Sequence, residues 1–316
     1  VSKPHILHVV PYPKEEETSL EARFTLHRLY EVDNKAAFYK EYGATIRGIS
    51  TRASAGVTRE TIESLPKLEI ISVYGVGYDK VDLEAAKARN IIVTNTPDVL
   101  TGDVADLAVG MLLMLSRRMS QAEQWVHSGN WVNTVSFPLS RRVHGKRIGI
   151  LGLGRIGDAI AERLSGFEMQ IAYTSRQPKE TAAPDWEFVS EVVALAEQSD
   201  VLIVALASTP ETQHLVNAEV IEALGPNGLL VNISRSSNVD ETALLNALES
   251  GALAGAALDV FEGEPNINPR FLALENVLVQ PHIGSATTET RQAMMSLVLA
   301  NLEQYFEQGE ALTPVY

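Results

Sequence analysis

Residues 147–157 read "RIGILGLGRIG", an apolar run of strand length that ends in G-x-G-x-x-G. A parallel strand that turns straight into a helix needs glycine at three points. Gly152 permits the tight turn, Gly154 lets backbone approach a pyrophosphate, and Gly157 lets the helix lie close against the strand. The amides around the helix start, at Leu153, Arg155 and Ile156, then meet phosphates along a favourable dipole.

Outward from this turn the chain alternates strand and helix. Downstream, strands are expected at 169–173, 201–205, 229–233, 254–258 and 277–279, with helical patterns at 155–165 and 240–249. Six strands with the glycine turn after the first predict the doubly wound dinucleotide fold. Upstream, "ILHVV" (6–10), "ATIRGI" (44–49), "LEIISVY" (68–74) and "IIVTN" (91–95) read as buried strands of a separate parallel sheet, with a helix over 81–90. Between the two lies 97–125, which carries a helix at 102–118 with Thr101 as N-cap and apolar on nearly every side from Leu107 to Leu115. Such a helix must be covered all round, by another domain or a second subunit. The segment 127–145 after it carries Trp131 and Phe137 and is either locally packed or an arm reaching a partner subunit. The last amphipathic stretch, 287–309, is one long helix expected to return to the first domain.

A dinucleotide fingerprint is usually followed, about 20 residues on, by an acid that holds a ribose hydroxyl. Here that place reads "YTSRQPK" (173–179), and no acid comes before Glu180. Ser175 offers a hydroxyl and Arg176 a guanidinium fork suited to phosphate oxygens, with Lys179 a second cation nearby. The segment therefore predicts NADP(H) as the preferred cofactor, with NAD(H) as the alternative.

Composition bounds the remaining choices. At 316 residues two domains are expected, and 45% hydrophobic with 21% charged residues is globular. A net charge of −14 argues against nucleic acid or an anionic membrane as partner. No apolar run approaches the roughly 20 residues that span a bilayer. The N-terminal residues lack the apolar stretch and cleavage site of a signal peptide, so a cytoplasmic location is expected. With no cysteine there are no disulfides and no thiolate metal ligands, and no metal is expected.

Three polar residues follow three of the expected strands: Arg235 after "LLVNIS", Glu264 in "LDVFEGEP" (258–265) and His282 in "VLVQPHIGSAT" (277–287). Ligands bind at the carboxyl ends of strands in open α/β sheets. This set suits reduction of a 2-keto acid by a nicotinamide. His282 would act as general acid, Glu264 would orient the ring and favour its protonated form, and Arg235 would hold the carboxylate and keto oxygen.

Taken with "YGVGYDKVD" (74–82), "NTPDVLTGDVADLA" (95–108), "GILGLGRIG" (149–157), "NISRSSNVDETAL" (232–244) and "PHIGSAT" (281–287), the chain resembles the D-isomer-specific 2-hydroxyacid dehydrogenases over essentially its whole length. Within them it is most similar to the glyoxylate/hydroxypyruvate reductases and plant-type hydroxyphenylpyruvate reductases. The resemblance implies an α/β fold of two doubly wound parallel-sheet domains. A Rossmann NAD(P)-binding domain, 99–286, is inserted into a flavodoxin-like substrate domain, 1–98 plus 287–316. It implies Arg235, Glu264 and His282 as catalytic residues, and the amides of Val76 and Gly77 as the seat of the substrate carboxylate. Asp259 would bind the nicotinamide carboxamide, while Thr101, Leu206, Thr212, Ile233, Ser234 and Ser285 line the cofactor. It also implies a homodimer built through the nucleotide-binding domain, with Trp131 reaching the neighbouring active site. Where the family usually has glycine after the arginine, this chain has Ser236.

Substrate choice is assigned to the loops "STRASAG" (50–56) and "YGVGY" (74–78), where Arg52 is either a solvent-facing residue or a cation that suits a substrate with a second polar or acidic group. Glyoxylate or hydroxypyruvate is the expected substrate class, with an aromatic 2-keto acid such as hydroxyphenylpyruvate as the alternative. A non-catalytic dinucleotide-sensing protein on the same fold is the rival from another class.

Overall fold

Helices that return the chain across a sheet face force the strands they join to run parallel. The computed structural model describes residues 3–132 and 135–316, and within its two sheets neighbouring strands all run parallel. The chain divides into two units. One runs to Leu100 and resumes at Ala286; the other is Thr101–Ser285.

The first unit builds β1 (His5–His8), α1 (Lys14–Arg23), β2 (Thr25–Arg28), α2 (Lys35–Tyr42), β3 (Ile46–Arg52), α3 (Arg59–Glu63), β4 (Ile70–Tyr74), α4 (Leu83–Ala88) and β5 (Ile92–Thr94). The sheet order β2-β1-β3-β4-β5 is the flavodoxin-like arrangement. Ile46, Ile49, Ile71 and Val93 are fully buried in its core. Strand β2 is absent from the sequence reading. It lies at the sheet edge, pairs only with β1, and its residues "TLHR" are exposed or half-buried, so no apolar run marks it.

The second unit opens with α5 (Thr101–Arg117) and α6 (Met119–His127). The apolar helix expected at 102–118 is α5, with Thr101 as its first helical residue rather than its N-cap. It ends where Arg118 enters the left-handed region at φ 51°, and α6, which follows, is absent from the sequence reading. The unit continues through β6 (Arg147–Leu151), α7 (Arg155–Ser165), β7 (Gln170–Thr174), β8 (Glu187–Phe188), α8 (Val192–Glu197), β9 (Val201–Val204), α9 (Ala218–Leu224), β10 (Leu229–Asn232), α10 (Glu241–Ser250), β11 (Gly255–Leu258) and β12 (Val277–Val279). Its order, β12-β11-β10-β9-β6-β7-β8, is that of a Rossmann sheet with a seventh strand. The two-residue edge strand β8 is too short to leave a sequence signal.

Helix α5 buries Val104, Ala105, Ala108, Met111 and Leu112, while Leu107, Val109, Leu113, Met114 and Leu115 stay half-exposed. Complete burial of this helix, expected from its composition, is not reached within one chain. Asn133 and Thr134 of the 127–145 segment lie outside the described residues. Among the described residues no helix is long and apolar enough to cross a membrane.

The last helix, α11 (Thr288–Gln308), belongs to the first unit and packs along β4. Its buried Asn301 fixes the tail that follows. Oδ1 accepts from the amides of Leu312 and Thr313, both at 2.9 Å, and Nδ2 donates to Leu297 O and Thr313 Oγ1, both at 2.9 Å. The tail then bridges the edge strand β5, with Val315 N donating to Val93 O at 2.9 Å. An Asn301→Leu variant strands these groups at a cost of about 2–4 kcal/mol. Thermal unfolding should show a midpoint several degrees lower, and an unchanged midpoint would remove Asn301 as the anchor of the tail.

Candidate active site

Helix α7 starts at the glycine turn, and its N-cap, Gly154, leaves the first-turn amides without a capping side chain. Gly152 sits at φ 102°, where a Cβ would lie 2.9 Å from Leu206 Cδ2 and 3.0 Å from Ala205 O. A Cβ at Gly157 would lie 2.0 Å from Gly152 O, which is how strand and helix come so close. A Cβ at Gly154 would meet nothing within 4 Å. The turn is therefore tight beneath and open above, with Gly154 and Arg155 exposed and Leu153 and Gly157 buried. This cradle of backbone donors fits a dinucleotide pyrophosphate.

The cation-bearing loop lies beside it because β7 pairs with β6. Leu151 is opposite Thr174, and Gly152 N donates to Thr174 O at 2.9 Å. Ser175 and Arg176 are the next two residues after Thr174, so the loop they open leaves β7 beside the glycine turn. Arg176 and Lys179 are exposed and Ser175 is half-buried, its hydroxyl donating to Gln177 O. The loop is tied down by the buried Tyr173, whose hydroxyl accepts from Lys179 N at 3.0 Å. Sequence reasoning missed this clamp, since a tyrosine in a strand reads simply as core.

Arg235, Glu264 and His282 all lie in the second unit, beyond the ends of β10, β11 and β12, which are adjacent in the sheet. His282 Nδ1 is 2.8 Å from Glu264 Oε2. Glu264 Oε1 accepts from Phe261 N at 2.8 Å, so the carboxylate is fixed at both oxygens. Arg235 is half-buried, and its Nη1 donates to Ser234 O at 2.8 Å. Ser236 opens a short 3₁₀ turn, Ser236–Asn238, and lies outside the positive-φ region, so serine in place of glycine carries no backbone penalty there.

His282 itself stands at φ 56°, a conformation that costs a side-chain-bearing residue on the order of 1–2 kcal/mol. The buried Asp259 holds the chain there: Oδ1 accepts from Ile283 N at 2.7 Å and Oδ2 from Gly284 N at 2.8 Å. Burial pushes the Asp259 carboxyl above its ordinary range, against the pull of these amides and of His282. Asp259, named by resemblance as a cofactor residue, is in this structure an anchor of the histidine loop. Two residues bonded across a long sequence gap leave no local signal of such a role.

The other residues named from sequence fall as follows. Leu206 packs under Gly152, and Thr212 accepts from Thr209 N at 2.8 Å and donates to Ala207 O at 2.8 Å. Ile233 is buried, while the buried Ser234 is bonded to Asn232 and Asn238. Thr101, Ile156 and Ser285 are half-buried. In the first unit, Val76 and Gly77 are half-buried in the loop after β4, where Asn95 Nδ2 donates to Val76 O at 2.7 Å. Arg52 ends β3, with its guanidinium 5.2 Å from the Tyr12 ring centroid. Trp131 is 75% exposed, as an arm would require, but Phe137 packs edge-on against Trp125 at 5.8 Å. Of the two aromatic residues in that segment, Phe137 is thus a local packing residue.

Comparison with known proteins places these features in a family. Residues 109–284 match the family described as D-isomer specific 2-hydroxyacid dehydrogenase, NAD binding domain. A hydroxyphenylpyruvate reductase from Plectranthus scutellarioides is 46% identical over 310 residues, 98% of each chain. A 2-hydroxyacid dehydrogenase structure from Ketogulonicigenium vulgare Y25 is 55% identical with a TM-score of 0.94, covering 100% of this chain and 99% of that one. An NADPH-dependent glyoxylate/hydroxypyruvate reductase from Sinorhizobium meliloti, solved with NADP and malonate, is 44% identical with a TM-score of 0.93, covering 99% and 97%. The glycine cradle, the inserted Rossmann sheet and these whole-length likenesses agree: the chain belongs to the D-isomer-specific 2-hydroxyacid dehydrogenase family and is an NAD(P)-dependent oxidoreductase.

Proposed function

We propose that this enzyme reduces a small 2-keto acid of the glyoxylate/hydroxypyruvate type to the D-2-hydroxy acid with NADPH. The observation that carries the chemistry is the His282–Glu264 pair at 2.8 Å. With Nδ1 engaged by the carboxylate, Nε2 is the ring nitrogen left to give its proton to the carbonyl oxygen. Glu264, fixed by Phe261 N, stays in place as the ring cycles and holds its orientation. Arg235 holds the substrate carboxylate and keto oxygen through parallel N–H bonds. The amides of Val76 and Gly77 are further donors for the carboxylate. Bound at the glycine turn, the nicotinamide cofactor supplies the hydride that reduces the carbonyl carbon. The proton lost from His282 is restored from solvent.

Preference for NADPH is supported by Ser175 and Arg176 beside the glycine turn, where no carboxylate precedes Glu180. It is also supported by the NADP complex of the Sinorhizobium relative. The test is absorbance loss at the nicotinamide band with glyoxylate, hydroxypyruvate and hydroxyphenylpyruvate, each with NADPH and NADH. Wild type should favour NADPH by about tenfold or more in kcat/KM, and Arg176→Asp should lower the NADPH value about 10- to 100-fold while the NADH value moves little. An equal or better rate with NADH in the wild type would sink the cofactor assignment, and no turnover of any keto acid would sink the function.

Glu264→Gln keeps the shape of the carboxylate but not its charge. It should lower kcat by roughly 10- to 100-fold with little change in KM, because the loss lies in the proton transfer step. A variant as fast as wild type would exclude Glu264 from that step.

The same reading includes a homodimer. Its support is the half-exposed apolar stripe on α5 together with exposed Met119, Val126, Trp131, Val132 and Leu139 on the segment that follows. Light scattering on the purified chain should give about twice the 34.4 kDa chain mass. A monomer mass at micromolar concentration would refute it.

A further inference from the structure

The carboxyl edge of the first sheet holds a polar cluster that the reaction chemistry does not use. Arg52, the last residue of β3, is opposite Tyr74, the last residue of β4. Val76 and Gly77, the proposed carboxylate seat, follow Tyr74 by two and three residues, so Arg52 stands beside that seat. The Arg52 guanidinium lies over the Tyr12 ring, and the Tyr12 and Tyr74 ring centroids are 5.0 Å apart. Tyr74 donates its hydroxyl to Glu16 Oε1 at 2.9 Å. Glu16 is close enough to Arg52 for the cation to pull its carboxyl down, although burial wins and leaves it above the ordinary range.

Two atoms of this cluster are buried without a partner among the described residues: the donor Arg52 Nε and the acceptor Glu16 Oε2. Buried polar atoms rarely remain unpaired, because each loses its bonds to water and gains none in return. Neighbouring donor and acceptor sites set narrow limits on what would satisfy both. A methyl group satisfies neither, and a carboxylate satisfies the donor but faces the Glu16 oxygen with its own negative charge. A hydroxyl accepts from one and donates to the other. The Arg52 guanidinium rests on a ring face, and its Nε has no hydrogen bond to give up when a ligand group arrives.

We infer that Arg52 and Glu16 form a hydroxyl-reading subsite that selects 2-keto acids bearing hydroxyl groups on the carbons beyond the keto group. This rests on the proposed 2-keto acid reductase reading and narrows it. It also narrows the sequence expectation that Arg52 would suit a second polar or acidic group to the polar case, because Glu16 stands against a second carboxylate.

The test compares kcat/KM, with NADPH, for hydroxypyruvate against pyruvate, which lacks only the hydroxyl, and for 2-keto-D-gluconate and oxaloacetate. Wild type should favour hydroxypyruvate over pyruvate by roughly 100-fold or more, since a site built to bond a hydroxyl rejects the analogue without one. It should also reduce 2-keto-D-gluconate better than oxaloacetate. In Arg52→Leu and Glu16→Leu the hydroxypyruvate-to-pyruvate ratio should collapse below about tenfold, whereas Glu16→Gln, which keeps an acceptor oxygen, should retain most of it. The ratio is internal to each variant, so a general loss of activity does not mimic the effect. A wild-type ratio near one, a preference for oxaloacetate, or a ratio untouched in both leucine variants overturns the subsite while leaving the reductase reading standing. Failure of the wild type to reduce any 2-keto acid, glyoxylate included, overturns both.

Discussion

The buried carboxylate of Asp259 decides where the candidate general acid can be. Its two oxygens accept from Ile283 N and Gly284 N, and so fix the residue just before them, His282, in a left-handed backbone conformation. That conformation costs on the order of 1–2 kcal/mol. Hydrogen bonds to a charged group return about 1.5–3 kcal/mol each, so two of them outweigh the strain. Burial of Asp259 opposes this, and the upward displacement of its carboxyl records that opposition. Once the backbone is fixed, the 2.8 Å contact with Glu264 fixes the ring. The strained residue is thus held on one side by its backbone neighbours and on the other by its side chain.

Much of this was legible in the sequence for definite reasons. The glycine spacing is dictated by hard contacts, such as the 2.0 Å approach that any side chain at Gly157 would make to Gly152 O, so it can be read without knowing the fold. Central strands such as "VLIV" and "LLVN" are buried on both faces and read as apolar runs. The edge strands β2 and β8 are not, since each has a single neighbour and no need of an apolar face. The end of α5 at Arg117 was legible to within a residue, whereas α6 buries no side chain and so leaves no core-facing stripe to mark it. Glu264 and His282 could be picked out by their strand ends. The role of Asp259 could not, because it depends on a contact 24 residues away in the chain.

Cofactor selection shows how a local arrangement prevails over the global field. A chain of net charge −14 repels anions at long range. Charges in solvent are screened beyond about 8 Å at physiological salt, so a phosphate at the glycine turn responds chiefly to the groups beside it. The register of β6 against β7 makes those groups Ser175 and Arg176. The Tyr173 hydroxyl clamp then limits how far the loop can stray from the turn. A basic loop without such a clamp would lose more conformational entropy on meeting a phosphate.

The unpaired buried polar atoms are distributed in a way that bears on function. Those of Glu16 and Arg52 lie at the carboxyl edge of the first sheet, around the β1–β3 junction, whereas Trp125 and Asn238 in the second unit leave one atom each. In the order β2-β1-β3-β4-β5 that junction is the switch point, where adjacent connections leave to opposite faces and a crevice opens. The same edge carries Val76 and Gly77. The apolar core below it satisfies its backbone within the sheet and needs nothing from outside. Polar groups left incomplete there would be a defect in a structural domain, since a well-packed apolar substitute would be more stable. At a ligand-binding edge they have a physical reason to persist, because a bound hydroxyl completes what the protein leaves open.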